Sequence, residues 1–548
     1  METGEKNIYS RFLEDFLDNS VAEKAGIIQV RMGASEPVPY SPSFTWPHSL
    51  PITGLEYDSR NIKPGFIYFA LPGLHTDGHY FIPEALKLGA QAVIHQEELA
   101  EYSEGTLFIK VKNSRIAMSP VADAFHDFPS RRMGIIGVTG TEGKSTTVYL
   151  IYQLLRLLNK KTGFISTVMQ SDGVSEKWNS EHQTTPEALI LQRLLAGMIE
   201  NGVEYAVLES SSHGLSKMTN RLGDVDFDIA VLTNLTHEHL EFHGNPEQYR
   251  NDKAELFRSL DSSPSSHRKQ IPSGVISVPA FAVVNADDPN ADFFAAATEK
   301  KTLTFSTTGR DAGLSVKRIE SGKDGNSYDV VIRSSGESVT IKDRLPGAFN
   351  AGNVLAALLV VSNLFCVKVE DLIPLVQRLK PVRGRMTPVN LGQPFEVIVD
   401  YAHTPSSFEA VLPPLRKRLD SSGGRLICLF GSPGERDTQK RSLQGKAASL
   451  YSDYVILTDE DPRGEEPMAI LEEIAQGCEA EARMIRDENL FLMPDRPLAI
   501  RKAFSLAREG DIVLLLGKGH ENSIIYKSGP IPYDEISEAE KALKEIYP

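Results

Sequence analysis

The sequence predicts an α/β protein of three domains, in which a small N-terminal α/β domain is followed by two doubly wound domains. Three observations predict this architecture. The length of 548 residues exceeds what one hydrophobic core usually supports. Apolar strands alternate with helical stretches along the chain. A glycine-rich turn joins one such strand to a helix at residues 140–145. We expect the domains to span residues 1–132, 133–382 and 383–548.

Short apolar runs bounded by turn residues define the strands of each domain. The first domain has predicted strands at 65–70, 90–94 and 106–111, with a helix at 81–88. The central domain begins with a strand at 133–139 and continues with strands at 205–209 and 228–233. The last domain has strands at 395–399, 425–430, 454–458 and 511–516. A polar segment at 259–274 is typical of a surface insertion.

The stretch 133–147 predicts a phosphate-binding loop, which makes the central domain P-loop ATPase-like. Gly137, Gly140 and Gly143 allow the backbone to curl so that several N–H groups point at one anion. The helix that follows adds its positive N-terminal end. Lys144 would neutralise phosphate charge, and Ser145 would offer its hydroxyl to Mg²⁺.

Polar residues follow nearly every buried strand at its carboxyl end, where ligands bind in open parallel sheets. Glu209 ends one strand of the central domain, where a carboxylate can hold Mg²⁺. His237, His239 and His243 follow the next strand, and beside a phosphate loop they indicate a hard-cation site with one imidazole. Asn234 either orients phosphates or caps the next helix.

Composition and charge restrict the classes of partner. The chain has 58 basic and 73 acidic residues, a net charge of −15, which argues against nucleic acid bound by general attraction. Its three cysteines, Cys366, Cys428 and Cys478, lack the spacing of a zinc site or a disulfide framework. The polar N-terminus and the lack of a long apolar run predict a cytoplasmic protein without a membrane span. We expect it to be a monomer.

The chain resembles the Mur ligase family over about residues 50 to 525, through an ordered series of motifs at 57–60, 77–79, 140–145, 184–186, 209–213, 400–405, 460–463 and 517–521. These ATP-dependent ligases build the stem peptide of peptidoglycan in the cell wall, and the chain is most similar to the member that adds the third residue. The resemblance implies ATP and Mg²⁺ as cofactors, a UDP-N-acetylmuramoyl dipeptide and a diamino acid as substrates, and a Rossmann-like C-terminal domain. The γ-carboxylate of the D-glutamyl residue would be activated as an acyl phosphate and then attacked by the amine.

The resemblance also implies roles for individual residues. It implies ATP contacts at Thr139, Gly140, Thr141, Glu142, Gly143, Lys144, Ser145, Thr146, Asn234, Arg385 and Asp400. It implies contacts with the muramoyl dipeptide at Ser59, Thr184, Thr185, Ser211 and Arg221. It places magnesium at Ser145, Glu209, His239 and Lys253. Lys144, Glu209, His239 and Lys253 would be the catalytic groups.

Lys253 is a case in which residue pattern and resemblance disagree. It lies on a predicted helix, and composition alone favours a solvated lysine. The family carries the matching lysine as a carbamate, which would convert a cation into a metal-binding anion.

The pocket for the incoming amino acid is expected in the last domain. The resemblance implies contacts from Arg436, Glu460, Asp461, Arg463, Gly517 and Glu521. Members that take meso-diaminopimelate usually have Asp-Asn-Pro-Arg where this chain has Glu460-Asp-Pro-Arg463. The arginine favours a distal carboxylate and the extra acid a distal amine, so meso-diaminopimelate, L-lysine and L-ornithine all stay open.

Three alternatives remain, of which only the first is also a ligase. The chain could be a sister ligase of the Mur or folylpolyglutamate type with another amino-acid substrate. It could also be a nucleotide-dependent binding protein that hydrolyses ATP without ligation. The chain could finally be a purely structural protein, but such a protein needs no Gly-Lys loop, and this hypothesis is the weakest.

Overall fold

A computed structural model describes residues 10–47, 50–73, 76–179, 183–236, 243–262, 266–271, 273–322, 325–480 and 483–547. The chain separates into two compact units. One unit is Met1–Ser315, Ile332–Gly336 and Gly352–Leu372. The other is Val316–Val331, Glu337–Ala351 and Ile373–Pro548. The three main sheets have six, eleven and six strands.

The N-terminal sheet belongs to the first unit. Its strands run in the order Val38–Pro39, Ile27–Met32, Leu107–Val111, Ala92–His95, Phe66–Phe69 and Gly54–Glu56. The last four are parallel. Its helices are Leu13–Phe16, Asn19–Lys24, Ile82–Lys87 and Ser114–Phe125, and Arg11–Phe12 pairs with Pro51–Ile52. The predicted strands and helix of this region are confirmed to within two residues.

The central sheet carries the phosphate loop in the first unit. Nine of its strands run in the order Glu176–Trp178, Met169–Ser171, Thr162–Ile165, Tyr205–Glu209, Gly134–Thr139, Ile229–Leu232, Phe281–Asn285, Lys301–Ser306 and Leu314–Gly322. The helices of this region are Lys144–Leu157, Ala188–Glu200, Ser212–Leu215, Pro246–Ser259, Ala291–Ala295, Asn350–Phe365 and Val369–Val376. Gly325–Ile332 and Ser338–Asp343 form an antiparallel pair that completes the eleven strands.

Strand order explains why the loop lies where a ligand can reach it. Gly134–Thr139 is parallel to Tyr205–Glu209 on one side and to Ile229–Leu232 on the other. All six of its residues are buried, as expected for a parallel strand with helices on both faces. The chain leaves this strand in one direction and later returns on its other side, which creates the crevice where α/β sheets bind ligands.

The predicted surface insertion contains a hairpin with one buried end. Ser266–Ile271 pairs with Gly274–Pro279. Lys269, on the first of these strands, is 2% exposed, and its Nζ donates to Asp228 Oδ2 at 2.7 Å and to the Ser130 carbonyl at 2.9 Å. The same Asp228 oxygen accepts the Ile135 N–H at 2.7 Å, at the start of the loop strand. The insertion is therefore fastened to the core by a buried ion pair, which its polar composition did not indicate.

The C-terminal sheet lies in the second unit. Its strands run in the order Thr387–Val389, Glu396–Asp400, Ile512–Leu516, Leu426–Phe430, Tyr454–Leu457 and Leu490–Leu492, and all pairs but the first are parallel. Helices Pro405–Ser422, Gln439–Tyr451, Pro467–Glu479, Arg496–Leu506 and Glu535–Ile546 and the hairpin Ser523–Tyr526 with Gly529–Pro532 complete it. The predicted α/β fold class is confirmed.

None of the helices in the described part of the chain combines the length and the apolar character that crossing a membrane requires.

The buried pair between Lys269 and Asp228 gives a first testable prediction. In Lys269→Met the Asp228 carboxylate loses its cation while fully buried, so we expect the free energy of unfolding to fall by about 3–5 kcal/mol. Urea unfolding followed by circular dichroism measures this. Arg268→Met is the matched control, because Arg268 is the residue before Lys269 on the same strand but is exposed. Equal stability of the two variants would contradict the anchoring role.

Candidate active site

The phosphate loop joins the strand Gly134–Thr139 to the helix Lys144–Leu157. Gly140 has φ +147°, and a Cβ there would lie 1.9 Å from Thr233 Oγ1. Gly143 has φ +81°, and it begins the helix with no side-chain cap on the first N–H groups. Uncapped N–H groups at a helix N-terminus bind anions. The loop therefore has the backbone of a phosphate site, and a side chain at either glycine would disturb it.

Asn234 and Thr233 fasten this loop to the end of the neighbouring strand. The Glu142 N–H donates to Asn234 Oδ1 at 2.9 Å, and Asn234 Nδ2 donates back to the Glu142 carbonyl at 3.1 Å. The Thr141 N–H donates to the Asn234 carbonyl at 2.8 Å, and the Thr233 hydroxyl donates to the Glu142 carbonyl at 2.6 Å. Asn245, not Asn234, caps the next described helix. Asn234 therefore holds the loop by hydrogen bonds to the backbone of Thr141 and Glu142.

The side chains of the loop are arranged around its interior. Lys144 Nζ donates to the Thr141 carbonyl at 2.7 Å, so the ammonium is folded back over the loop. Thr139 is buried at the base of the loop, and its Oγ1 has no hydrogen-bond partner among the described residues. Thr146 is half-buried in the first turn of the helix.

Glu209 is held against Ser145 at the carboxyl ends of the central strands. The Ser145 hydroxyl donates to Glu209 Oε2 at 2.9 Å. Thr167 donates to the same oxygen from its N–H at 2.8 Å and to Oε1 from its hydroxyl at 2.9 Å. Three donors orient this buried carboxylate, which lies beside the hydroxyl that begins the helix. A hydroxyl and a carboxylate are the hard oxygen donors that suit Mg²⁺.

Lys253 is not solvated, so the interpretation based on composition is wrong. It is 2% exposed on the helix Pro246–Ser259, and its Nζ donates to the Gly140 carbonyl at 2.6 Å. The ammonium also lies 4.6 Å from the centre of the Tyr249 ring. The lysine therefore reaches the phosphate loop from a helix more than a hundred residues away in sequence.

The predicted histidine cluster can be placed only in part. His237 and His239 lie outside the described residues. His243 is buried, with Nδ1 2.7 Å from Asp252 Oδ2 and Nε2 3.0 Å from Ser212 Oγ. Within the described ranges no three His, Cys, Asp or Glu side chains converge as a metal site.

Residues predicted to bind the dipeptide come together behind Glu209. The Thr185 hydroxyl donates to the Glu209 carbonyl at 3.0 Å and lies 2.9 Å from Ser211 Oγ. Arg221 donates to the Thr185 carbonyl at 2.9 Å and to Glu187 at 2.9 Å. Thr184, the residue before Thr185, is half-buried.

Ser59 lies in the N-terminal sheet region and begins a short 3₁₀ helix. It is buried, and its hydroxyl donates to Glu84 at 3.1 Å.

A second group of candidate residues lines the carboxyl ends of the C-terminal strands. Asp400 accepts the Met386 N–H and the Ala402 N–H, both at 2.7 Å. Burial raises the pKa of its carboxyl above the ordinary value, although the nearby Arg385 opposes the rise. The Arg385 guanidinium lies 4.6 Å from the centre of the Tyr401 ring.

Glu460 and Asp461 have different environments although they are adjacent. Asp461 accepts hydrogen bonds at 2.9 Å from Lys518 Nζ and from the Ile525 N–H, so it is already satisfied. Lys518 is buried and also pairs with Glu521 at 2.5 Å. Glu460 is buried as well, but its Oε2 has no partner among the described residues.

Three further members of this group are Arg463, Gly517 and Arg436. Arg463 has φ +56°, and its N–H donates to the Ile525 carbonyl at 2.9 Å. Gly517 follows the strand Ile512–Leu516 with φ +97°. Arg436 is exposed in the loop after Leu426–Phe430.

Several buried polar atoms in this region have no partner among the described residues. They are Arg385 Nε, Ser432 Oγ, Glu460 Oε2, Arg463 Nε and His520 Nδ1. Burial, with the cations around it, brings the pKa of His520 well below its usual range, so the imidazole is neutral. Buried polar groups are normally hydrogen-bonded. A cluster of buried polar atoms without hydrogen-bond partners at one sheet edge is expected of a site that binds a polar ligand.

Sequence reasoning missed three residues that the structure brings to these sites. Thr167 follows the strand Thr162–Ile165, so the rule about strand ends could have found it. Asn353 accepts from the Thr147 hydroxyl at 3.1 Å, and a Cβ on Gly143 would lie 2.6 Å from its Oδ1. No local signal marks Asn353. Lys518 lies between Gly517 and Glu521, two residues predicted for the amino-acid pocket, but its own position gave no indication of a role.

Glu460 gives a prediction about pH. Burial raises the pKa of its carboxyl from the ordinary 4.5 to about 7. The folded state therefore binds more protons than the unfolded state between those values, and the free energy of unfolding falls as pH rises through that window. Glu460→Gln should remove a penalty of roughly 3 kcal/mol at neutral pH. Urea unfolding from pH 5 to pH 8 tests this.

The exposed Glu509→Gln provides the control for that series. It should follow the wild-type pH dependence. A Glu460→Gln profile parallel to the wild type over the whole range would show that Glu460 is ionised in the fold at neutral pH without penalty.

Three family models match the chain. "Mur ligase family, catalytic domain" matches residues 51–130, "Mur ligase middle domain" matches 138–361, and "Mur ligase, glutamate ligase domain" matches 384–519. Together they cover well over half of the sequence.

Relatives and solved structures extend this likeness to nearly the whole chain. The chain is 48% identical to the UDP-N-acetylmuramyl-tripeptide synthetase of Treponema denticola, over 90% of this chain and 94% of the relative. It is 36% identical to the UDP-N-acetylmuramoyl-L-alanyl-D-glutamate–2,6-diaminopimelate ligase of Geobacillus thermodenitrificans, over 90% and 95%. A solved diaminopimelate ligase of the same description superposes with a TM-score of 0.58 at 28% identity, covering 93% of this chain and 98% of that one. Likeness of this extent and at this identity establishes the family, and the chain belongs to the Mur ligases.

Proposed function

We propose that this chain uses ATP to join a diamino acid to UDP-N-acetylmuramoyl-L-alanyl-D-glutamate. The observation that supports this most is the presence of two kinds of site in the same chain. One is a phosphate loop beside Glu209, and the other is a sheet edge with several unpartnered buried polar groups. A carboxylate and an amine do not condense spontaneously in water, so the carboxylate must first be activated. We assign uridine nucleotide binding to residues 1–132, ATP binding to 133–382 and amino-acid binding to 383–548.

The first step forms an acyl phosphate at the phosphate loop. An oxygen of the D-glutamyl γ-carboxylate attacks the γ-phosphorus of ATP, and the bond from phosphorus to the bridging oxygen of ADP breaks. Two anions approach each other, so the reaction requires positive charge that is already in place. Lys144 and the uncapped N–H groups at the start of the helix, residues 143–146, supply it. Asn234 contributes by holding the loop backbone.

Ser145 and Glu209 are the described residues that fit magnesium, because both present hard oxygen donors at one place. A bound Mg²⁺ would neutralise phosphate charge during transfer. We include His239 and Lys253 in the proposed ligand set. As a carbamate, Lys253 would gain two oxygens that share one negative charge, and it would keep one N–H to donate to the Gly140 carbonyl, which the ammonium contacts at 2.6 Å.

The second step forms the new peptide bond. The deprotonated amine attacks the acyl carbon, and phosphate leaves with the oxygen that came from the carboxylate. Arg463 has a buried Nε that is available for a carboxylate, and Glu460 has a buried oxygen that is available for an ammonium. A diamino acid carries both groups. Arg436, Asp461, Gly517 and Glu521 complete the proposed amino-acid site.

The remaining assignments concern the other two substrates. We propose that Arg385 and Asp400 contact ATP. We propose that the muramoyl dipeptide contacts Ser59, Thr184, Thr185, Ser211 and Arg221. Arg221 already donates to Glu187, so it would bind substrate with the donors that this pair leaves available.

The identity of the diamino acid is a matter for direct assay, because relatives at 36–48% identity include proteins named for diaminopimelate and proteins named only for the tripeptide. Purified protein is incubated with ATP, Mg²⁺, the UDP-muramoyl dipeptide and either meso-diaminopimelate, L-lysine or L-ornithine. Product mass then identifies the substrate. Release of ADP without a ligated product with any of these amino acids would favour a nucleotide-dependent binding protein. Ligation of D-glutamate or D-alanyl-D-alanine instead would favour a sister ligase.

Lys144→Ala tests the phosphate site. Losing the ammonium from the loop should lower the ligation rate about 100-fold or more, because developing phosphate charge is no longer neutralised. The fold should persist, since Lys144 donates only to a carbonyl of its own loop among the bonds described. Initial rates at saturating substrates, together with circular dichroism, measure both effects. Lys161→Ala, at an exposed lysine beyond the same helix, is the control. Full activity in Lys144→Ala would mean that the phosphate site is elsewhere.

A further inference from the structure

An ion pair with no exposed side-chain surface lies beneath the C-terminal site. Arg496 begins the helix Arg496–Leu506, and Glu535 begins the helix Glu535–Ile546. Both side chains are 0% exposed. Arg496 Nε donates to Glu535 Oε2 at 2.8 Å, and Nη2 donates to Oε1 at 2.6 Å. The Tyr533 hydroxyl donates to Oε2 at 2.6 Å.

The same guanidinium joins two strands that do not pair with each other. Arg496 Nη1 donates to the Asp459 carbonyl at 3.0 Å, and Nη2 donates to the Leu516 carbonyl at 2.7 Å. These carbonyls lie at the ends of Tyr454–Leu457 and Ile512–Leu516, and Leu426–Phe430 separates the two strands in the sheet. The hydrogen bonds of the sheet relate these two ends only through the strand between them. Arg496 does so directly.

Each of the two carbonyls belongs to the residue before a member of the proposed amino-acid site. Asp459 precedes Glu460, and Leu516 precedes Gly517. The two members also approach each other, because a Cβ on Gly517 would lie 2.8 Å from Glu460 Oε2. A small displacement of either strand end would therefore change the separation of the Glu460 carboxylate and the loop 517–521.

We propose that Arg496, held by Glu535, is a positioning residue for the incoming amino acid. This inference depends on the proposed function of that site. A planar guanidinium with several donors can grip two carbonyls and a carboxylate together, which a lysine ammonium cannot do in the same geometry. A buried ion pair is a poor source of stability compared with apolar packing. Its value here is the fixed distance between two strand ends, and the C-terminal helix contributes Glu535 to keep the guanidinium oriented.

The experiment compares Michaelis constants for the amino acid and for ATP in Glu535→Gln and Arg496→Lys, with the diamino acid that the wild type ligates. We expect the constant for the amino acid to rise about tenfold or more, because misplacement of binding groups by a fraction of an ångström weakens substrate positioning. The constant for ATP should stay within about twofold of the wild type. In case these variants fold poorly, Arg496→Met combined with Glu535→Leu removes both charges and the carbonyl grip together, and it should show the same selective rise.

Asp511→Asn is the matched control. Asp511 pairs with Arg425 at 2.6 Å in the same sheet, but at the opposite ends of the strands Leu426–Phe430 and Ile512–Leu516. Its loss should lower the melting temperature without a selective rise in the constant for the amino acid. Equal kinetic changes in Asp511→Asn and Glu535→Gln, or equal changes for ATP and amino acid, would overturn the positioning role. A wild type that ligates no diamino acid would count against the proposed function instead.

Discussion

The backbone of the phosphate loop is the constraint on which the rest of the central domain depends. Its N–H groups can converge on an anion only if Gly140 and Gly143 keep positive φ values, at +147° and +81°. A loop of this kind has few contacts of its own. The Asn234 amide, the Thr233 hydroxyl and the Lys253 ammonium supply them from outside, through the carbonyls and N–H groups of residues 140–142. Preorganisation of this sort allows donors to meet phosphate charge without rearranging.

The sheets explain how those groups reach the loop. Parallel strands with both faces covered must be apolar along their length, so polar chemistry is confined to their ends. Glu209 ends one of the two strands that flank Gly134–Thr139, and Asn234 follows the other, which places both beside the loop. Two buried ion pairs elsewhere hold separate segments of the chain together. Lys269 with Asp228 fastens an insertion, and Arg496 with Glu535 links two strand ends.

Much of this could be predicted from the sequence because the signals are local. Each apolar run, such as 205–209 or 511–516, contains a strand, and residues at or after the end of that strand form the sites. What could not be predicted depends on neighbours distant in sequence. Lys253 has the composition of a solvated helix residue, and only its approach to Gly140 shows otherwise. Asn353 bonds to Thr147 and Thr167 bonds to Glu209, each from another element of the fold. Nothing near Arg496 in sequence indicates that it bonds to residues 459, 516 and 535.

The central chemical claim is that the D-glutamyl γ-carboxylate of the muramoyl dipeptide passes through an acyl phosphate. It is tested most directly with dipeptide substrate that carries ¹⁸O in the D-glutamyl γ-carboxylate, incubated with ATP, Mg²⁺, the diamino acid and the enzyme. The account predicts that the inorganic phosphate released carries one ¹⁸O atom for each peptide bond formed. Unlabelled phosphate alongside full ligation would contradict it, since the carboxylate oxygen would then never have been bonded to phosphorus.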